Sequence, residues 1–234
     1  MFDLKLLDSA HHFIMNHFVK TGHSPNHSDI VNKFELSLEE VNRLLYELMN
    51  SGIGAMWLNS TTGNIVTFNP FSNVPTQYKI TVEGRQKWFT PWGFDALAVC
   101  WVFPDKIVQI NAQCIDCCKP IEITIENGTV KSKNCSNIMA YTNVPLKKWA
   151  KNWSYTWGQM NLFRSEEHIR RWSGFKNGTD EGILSLDSIL EMFSTDFHVK
   201  KMSRNYVSCI KEYNLSFFEK VSEIKEKSFH WSID

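Results

Sequence analysis

The 234-residue chain has no excess of charge of either sign, since 25 Lys and Arg balance 25 Asp and Glu. A neutral protein has no global field to draw it onto nucleic acid or an anionic membrane, so neither is an expected partner. It also lacks a long apolar run. Stretches such as Ala96 to Phe103 are far too short for a bilayer, which takes about 20 residues. The N-terminus, Met1-Phe2-Asp3-Leu4, carries an acid where a secretory leader carries basic residues, so the expected location is the cytoplasm. No internal repeat and no low-complexity linker is present. In that compartment six cysteines read as free thiols, or in part metal ligands, rather than as a disulfide framework. What remains is an ordinary globular composition, 43% hydrophobic and 21% charged, in a length that fits one domain with an appendage or two small domains. Nine tryptophans are many for this length and point to an aromatic-rich core or pocket.

Periodicity sets the expected elements. Leu4, Leu7, Ile14 and Phe18 recur at helical spacing over residues 3–20, which end at Thr21-Gly22. Ser28 is expected to cap a short helix from Asp29 to Phe34. Ser37 starts another, with Glu40 completing a capping box and Val41, Leu44, Leu45 and Leu48 on one face. Strands are expected at Ala55–Leu58, Ile65–Phe68 and Tyr78–Val82. Three helices followed by a hairpin is the order of a winged-helix-like module, assigned to residues 1–85. Its charges argue against an operator-binding role. Six Lys and Arg face eight Asp and Glu there, and the third helix, Leu38–Asn50, has one Arg against three Glu. Phosphate neutralisation needs the reverse.

From Trp88 the pattern changes, and residues 86–234 are read as a second, α+β domain: a mixed β-sheet with flanking helices. Phe94–Phe103 is a continuous apolar run that fits either a buried helix or a strand. Strands are expected at Ile107–Ala112 and Ile121–Ile125, with Asn127-Gly128 turning into Thr129–Lys131. Ile138–Tyr141 and Tyr155–Phe163 read as further strands. A helix opens at Ser165 and runs through Trp172, and Ser185–Phe197 and Arg204–Lys227 are the last helices. Five of the eight histidines fall before residue 28, including His11, His23 and His27, and are expected on the solvated surface.

Two segments carry the strongest functional signal. Pro91-Trp92-Gly93-Phe94-Asp95-Ala96-Leu97 and Tyr155-Thr156-Trp157-Gly158-Gln159-Met160-Asn161-Leu162-Phe163-Arg164-Ser165 together resemble the two active-site segments of alkylmercury lyases. The resemblance spans roughly residues 30–200. It implies that family's α+β fold and an N-terminal winged-helix-like module used for packing. In that family the first segment reads Cys-x-x-Asp, and the second carries a cysteine about six residues before a Phe. Two thiolates grip mercury there while the Asp passes a proton to the leaving carbon. Here the Asp is kept as Asp95, but Trp92 and Trp157 stand where the thiols belong. Hg(II) is a soft acid and needs soft thiolate. Indole has one N–H donor and no basic lone pair, so neither tryptophan can hold mercury.

Two readings of the altered site stay open. Trp92, Trp157 and Asp95 could form a cage for a cationic or flat aromatic ligand, with Gly93, Gln159 and Asn161 as further contacts. Alternatively, the two indoles fill the former cavity and leave a dead site. In the cage, a carboxyl walled by indoles would favour its neutral form and suit a general acid or base; otherwise Asp95 simply caps the helix that follows it.

The cysteines form a separate constellation. Cys114-x-x-Cys117, with Cys118 adjacent, resembles half of a metal knuckle, and Cys135 lies seventeen residues beyond Cys118. A zinc or other soft-metal site of Cys114, Cys117, Cys135 and one more ligand is one reading. Free thiols are the other, Cys100 and Cys209 reading as structural. No cofactor is required by either. The leading expectation is thus a divergent alkylmercury-lyase-like protein that binds a small organic ligand, any reaction being lyase- or hydrolase-like with Asp95 moving the proton. The alternatives are a non-catalytic ligand sensor and a cysteine-based metal- or metalloid-binding protein.

Overall fold

The structure, a computed structural model, describes residues 2–50, 56–132, 137–144, 158–174 and 183–193. Helix α1, Leu4–Thr21, starts where the Asp3 carboxylate accepts the Leu6 N–H at 2.7 Å. It stops at Gly22, whose left-handed backbone lets its N–H reach the Phe18 carbonyl at 2.8 Å. Leu7, Ile14 and Phe18 are buried on one stripe, and His11 lies on that same stripe. His11 is therefore not solvated as expected: it is 4% exposed and its ring sits 4.8 Å from that of Phe68.

Helix α2, His27–Phe34, is capped by Asn26 and not by Ser28. The Asn26 side chain accepts the Asp29 N–H while the Asp29 carboxylate accepts the Asn26 N–H, each at 2.9 Å. This reciprocal pair satisfies two free donors at once, which a serine two residues later cannot do. Helix α3, Leu38–Asn50, has the expected capping box, Glu40 N–H to Ser37 Oγ at 3.2 Å and Ser37 N–H to Glu40 Oε2 at 2.8 Å. Val41, Leu44, Leu45 and Leu48 are all buried on its inner face.

Eight antiparallel strands follow. They are β1 (Met56–Leu58), β2 (Ile65–Phe68), β3 (Phe71–Ser72), β4 (Tyr78–Val82), β5 (Arg85–Thr90), β6 (Ile107–Gln113), β7 (Pro120–Glu126) and β8 (Thr129–Val130). Their order in the sheet is β1-β2-β3-β5-β4-β6-β7-β8. Along β6 burial alternates strictly, Val108, Ile110 and Ala112 facing inward, and these pair in register with Ile125, Ile123 and Ile121 of β7. The β7–β8 hairpin turns on Asn127 (φ 49°) and Gly128 (φ 70°), two positive dihedrals in succession that match a type I′ turn. Gly128 is also required sterically, because a Cβ there would lie 2.3 Å from the Trp101 ring.

Between β5 and β6 the apolar run becomes helix α4, Gly93–Ala98, and a 3-10 turn, Val99–Trp101. Every residue of α4 is buried, which is why the run shows no helical periodicity. A second sheet has β9 (Met139–Tyr141) at its centre, flanked by β10 (Asn161–Phe163) and β11 (Ile183–Ser185), all antiparallel. The strand expected over Tyr155–Phe163 is confined, among the described residues, to β10. Helix α5, Glu166–Ser173, follows β10, and α6, Leu186–Phe193, follows β11. Helix α4 packs against β4, β5, β10 and α6. The expected helix at Arg204–Lys227 lies outside the described residues. No described helix is long and apolar enough to cross a membrane.

An aromatic seam joins the first helices to the sheet. Phe18 stacks on Phe71 at 5.3 Å, Trp88 meets Phe103 edge-on at 4.9 Å, and Trp88 Nε1 donates to the Phe18 carbonyl at 2.7 Å. That carbonyl also receives the Gly22 N–H, so losing the indole donor does not strand it. Trp88→Phe is accordingly expected to lower unfolding free energy by about 1 kcal/mol, the net worth of one hydrogen bond. Trp88→Ala should lose about 3–5 kcal/mol through the cavity it leaves. Urea unfolding of both variants measures the difference, and equal losses would contradict the packing assigned to this seam.

Cys100, on the 3-10 turn, is buried, and that burial pushes its thiol up to about 12 from an ordinary value of 9.0, with backbone hydrogen bonds opposing only in part. Its neutral form stabilises the fold below about pH 9, and that contribution is lost as pH rises through about 12. At pH 8.5 iodoacetamide should label the exposed Cys118 while sparing Cys100 until the chain is denatured. Peptide mass spectrometry reads this directly, and matched labelling rates in the folded protein would count against it.

Candidate functional site

The start of α4 brings the first motif segment against the second. Trp92, in extended backbone (φ −140°, ψ 166°), is the last residue before the helix, and its carbonyl accepts the Ala96 N–H at 3.1 Å and the Thr90 hydroxyl at 3.2 Å. Gly93 N–H donates to the Met160 carbonyl at 2.9 Å. A Cβ on Gly93 would stand 2.9 Å from Leu162 Cγ and 3.1 Å from the Asn161 carbonyl carbon, so only glycine allows this approach of helix to strand. On the same side a Cβ on Gly158 would lie 3.5 Å from Trp92 Nε1. The two segments therefore meet. Trp157 itself lies outside the described residues.

Asp95 is 1% exposed, and Asn69 Nδ2 donates to its Oδ1 at 3.1 Å. This bond reaches from α4 to the β2–β3 connection, across 26 residues of sequence. Trp92 is 8% exposed and packs edge-to-face on Trp57 of β1, ring centroids 5.3 Å apart. Trp57, 38% exposed, carries this aromatic pair to the surface. Across the sheet Trp57 pairs with Thr67. Asn69 Oδ1 and Thr67 Oγ1 are both buried and have no hydrogen-bond partner among the described residues. Stranded oxygens of this kind cost about 1–3 kcal/mol each, so two in one neighbourhood call for an explanation.

Of the other residues singled out from sequence, Asn161 is buried on β10, where its Oδ1 accepts the Tyr78 hydroxyl at 3.1 Å. Burial holds the Tyr78 phenol well above its ordinary value, so it donates and stays neutral. Met160, between Gln159 and Asn161, is fully buried, and Gln159 is half-buried. Trp57, Thr67, Asn69 and Tyr78 were not marked by the sequence. They lie on β1, β2, β4 and the β2–β3 connection, outside both motifs, and nothing in their local spacing distinguishes them.

A second cluster lies at the far end of β10. Cys114 follows β6 and is buried, Cys117 and His168 are half-buried, and their donor atoms all lie within 4.8 Å of one another. The turn between the cysteines is closed by Cys118 N–H to the Cys114 carbonyl at 2.8 Å and Cys114 N–H to the Lys119 carbonyl at 2.9 Å. Burial raises the Cys114 thiol, but hydrogen bonds from the backbone of Cys117, Arg164 and Asp116 and from the Cys117 side chain outweigh it and hold the thiol below its ordinary range. His168 belongs to the first turn of α5, and its Nδ1 lies 2.7 Å from Ser165 Oγ. One turn further on, Arg171 Nε donates to both Asp116 oxygens, at 3.1 and 3.0 Å, clamping α5 to the turn. Cys114 and Cys117 were marked by the sequence as metal ligands. The third expected ligand, Cys135, lies outside the described residues, and His168 is the third donor found.

Residues 71–197 match the family model for alkylmercury lyase. Among solved structures the chain is similar to the mercury-bound form of MerB2, with a TM-score of 0.64 and 20% identity, over 86% of this chain and 93% of that one. At that identity the likeness is one of fold. No curated protein sequence matches significantly. The matched span covers more than half of the chain and contains both Trp92–Asp95 and β10. On that ground the chain belongs to the alkylmercury lyase family.

Proposed function

We propose that this member of the family has lost thiolate-based carbon–mercury cleavage and binds a small organic ligand beside α4, with Asp95 as the proton-transfer residue. The loss follows from the residue types. Trp92 and Trp157 offer mercury no thiolate, and indole cannot replace it. The ligand reading rests on one observation: the buried Asp95–Asn69 pair, with stranded oxygens on Asn69 and Thr67, lies alongside the Trp92–Trp57 pair. A ligand with a polar or cationic end would satisfy the stranded oxygens. Its flat or cationic part would rest on the indoles, each cation–π contact contributing about 0.5–2 kcal/mol. Gly93, Gln159, Asn161 and Trp157 complete the proposed lining, and residues 1–85 serve as a winged-helix-like packing module.

A buried carboxyl can exchange a proton with a bound molecule without competition from bulk water, which is the role Asp95 is given. The reaction would then be lyase- or hydrolase-like and need no protein nucleophile. A sensor without turnover is the second reading, favoured by the Trp57 ring that already packs against Trp92 at 5.3 Å.

Tryptophan fluorescence titrated with benzyltrimethylammonium, benzylamine and phenol tests the proposal. A saturable change is expected that disappears in Trp92→Phe and survives in Trp101→Phe. No response to any of these classes would overturn the ligand reading. For any ligand that responds and is turned over, Asp95→Asn should abolish turnover while leaving binding of the neutral aromatic intact. Undiminished turnover would remove Asp95 from its role.

A further inference from the structure

We infer that Cys114, Cys117 and His168 form a binding site for a thiophilic divalent cation of the zinc type, separate from the ligand site beside α4. The donor set fits such an ion and little else. Two sulfurs and an imidazole suit zinc and its soft relatives, whereas calcium and magnesium require oxygen.

The geometry is nearly assembled. In a tetrahedral zinc site, bond lengths of about 2.0–2.3 Å put donor atoms about 3.6 Å apart. The three donors here lie within 4.8 Å of one another, so about 1 Å of side-chain adjustment closes the set. The backbone supplies the rest of the cradle. The tight turn at Cys114–Lys119 returns Cys117 beside Cys114, and backbone groups of Asp116, Cys117 and Arg164 surround the Cys114 sulfur. Those are the groups a metal-bound sulfur needs to spread its charge.

Outer contacts support the third donor. Ser165 Oγ fixes the His168 ring through Nδ1, as metal-bound imidazoles are fixed by a partner on the ring. The two-point Arg171–Asp116 contact joins the helix of His168 to the turn of the cysteines, holding both halves of the site in register. Asp116 thus acts as a positioning residue. Cys117 and His168 are only half-buried, so water or an exogenous ligand can reach an ion held there as its fourth ligand. Both cysteines are free thiols, as ligation demands.

The full chain, purified under reducing conditions and stripped of metal, should be titrated with Co(II) alone and then with competing Zn(II). One equivalent of Co(II) is expected to give thiolate-to-cobalt charge-transfer absorption in the near ultraviolet and the intense visible bands of a tetrahedral ion, both abolished by Zn(II). Cys117→Ser and His168→Asn, at half-buried positions that leave the fold intact, should each weaken binding by more than about 10-fold, and Asp116→Asn by less. Cys118→Ser and Cys135→Ser should bind as the natural chain does. The assignment is overturned if no charge-transfer band appears, or if His168→Asn is without effect. It is equally overturned if Cys135→Ser abolishes binding, or if the untreated protein carries a Cys114–Cys117 disulfide. Because Trp92→Phe leaves these ligands untouched, its cobalt spectrum should be unchanged, which separates this result from that of the ligand site.

Discussion

The close approach of Gly93 to β10 is the contact on which the rest of the site depends. A helix buried on all sides, α4, meets a strand at backbone distance, and any Cβ at residue 93 would collide with Leu162 and with the Asn161 backbone. Because the helix starts there, the direction of its first turn is fixed. Asp95 is carried onto Asn69 and Trp92 onto Trp57, both from the far end of the large sheet. Because β10 is held at the same point, its last residues run on toward Arg164, whose backbone engages the Cys114 sulfur. One strand thus touches both constellations, the aromatic-carboxylate one at its start and the sulfur-imidazole one at its end.

A group of soft donors gathers beside the far end of that strand, on the turn after β6 and on α5. In the proposed reading, indoles at positions 92 and 157 replace the family's thiols and exchange a metal-binding surface for an aromatic one. Sulfur is instead found at Cys114 and Cys117, beside an imidazole. Asp95 is buried, in a setting that includes an amide and two stranded oxygens. Retaining an ionisable group in a core is costly, which makes a site that has merely been filled in a poor account of Asp95. A filled cavity has no use for a carboxyl.

Much of the fold was legible because its signals are local. The Ser37–Glu40 capping box, the Val41–Leu48 stripe, the alternation along β6 and β7 and the Asn127-Gly128 turn all stand in the structure as their spacing implies. Signals failed where tertiary context decides. Strand β5 opens with exposed Arg85, Gln86 and Lys87 and so shows no apolar pattern. Asn26 displaced Ser28 as a cap because it can exchange hydrogen bonds with Asp29. His11 looked like one of several surface histidines until Phe68 packed on it from a distant strand. The site was legible to the same extent. Asp95, Trp92, Cys114 and Cys117 sit in motifs, whereas Thr67 and Trp57 reach the site through sheet pairing and Asn69 through its side-chain bond from the β2–β3 connection. His168 reaches the cysteines only through the packing of α5, from a sequence distance at which no ligand spacing can be read.

The central claim is that the scaffold of an alkylmercury lyase persists here with its two thiol positions taken by tryptophan. Protonolysis of phenylmercury by the natural chain and by a folded Trp92→Cys/Trp157→Cys chain tests it most directly, with Hg(II) release measured against a protein-free thiol control. The natural chain is expected to release none above the control. The doubly substituted chain is expected to gain release that depends on Asp95. Release by the natural chain that persists after its own cysteines are mutated would contradict the account.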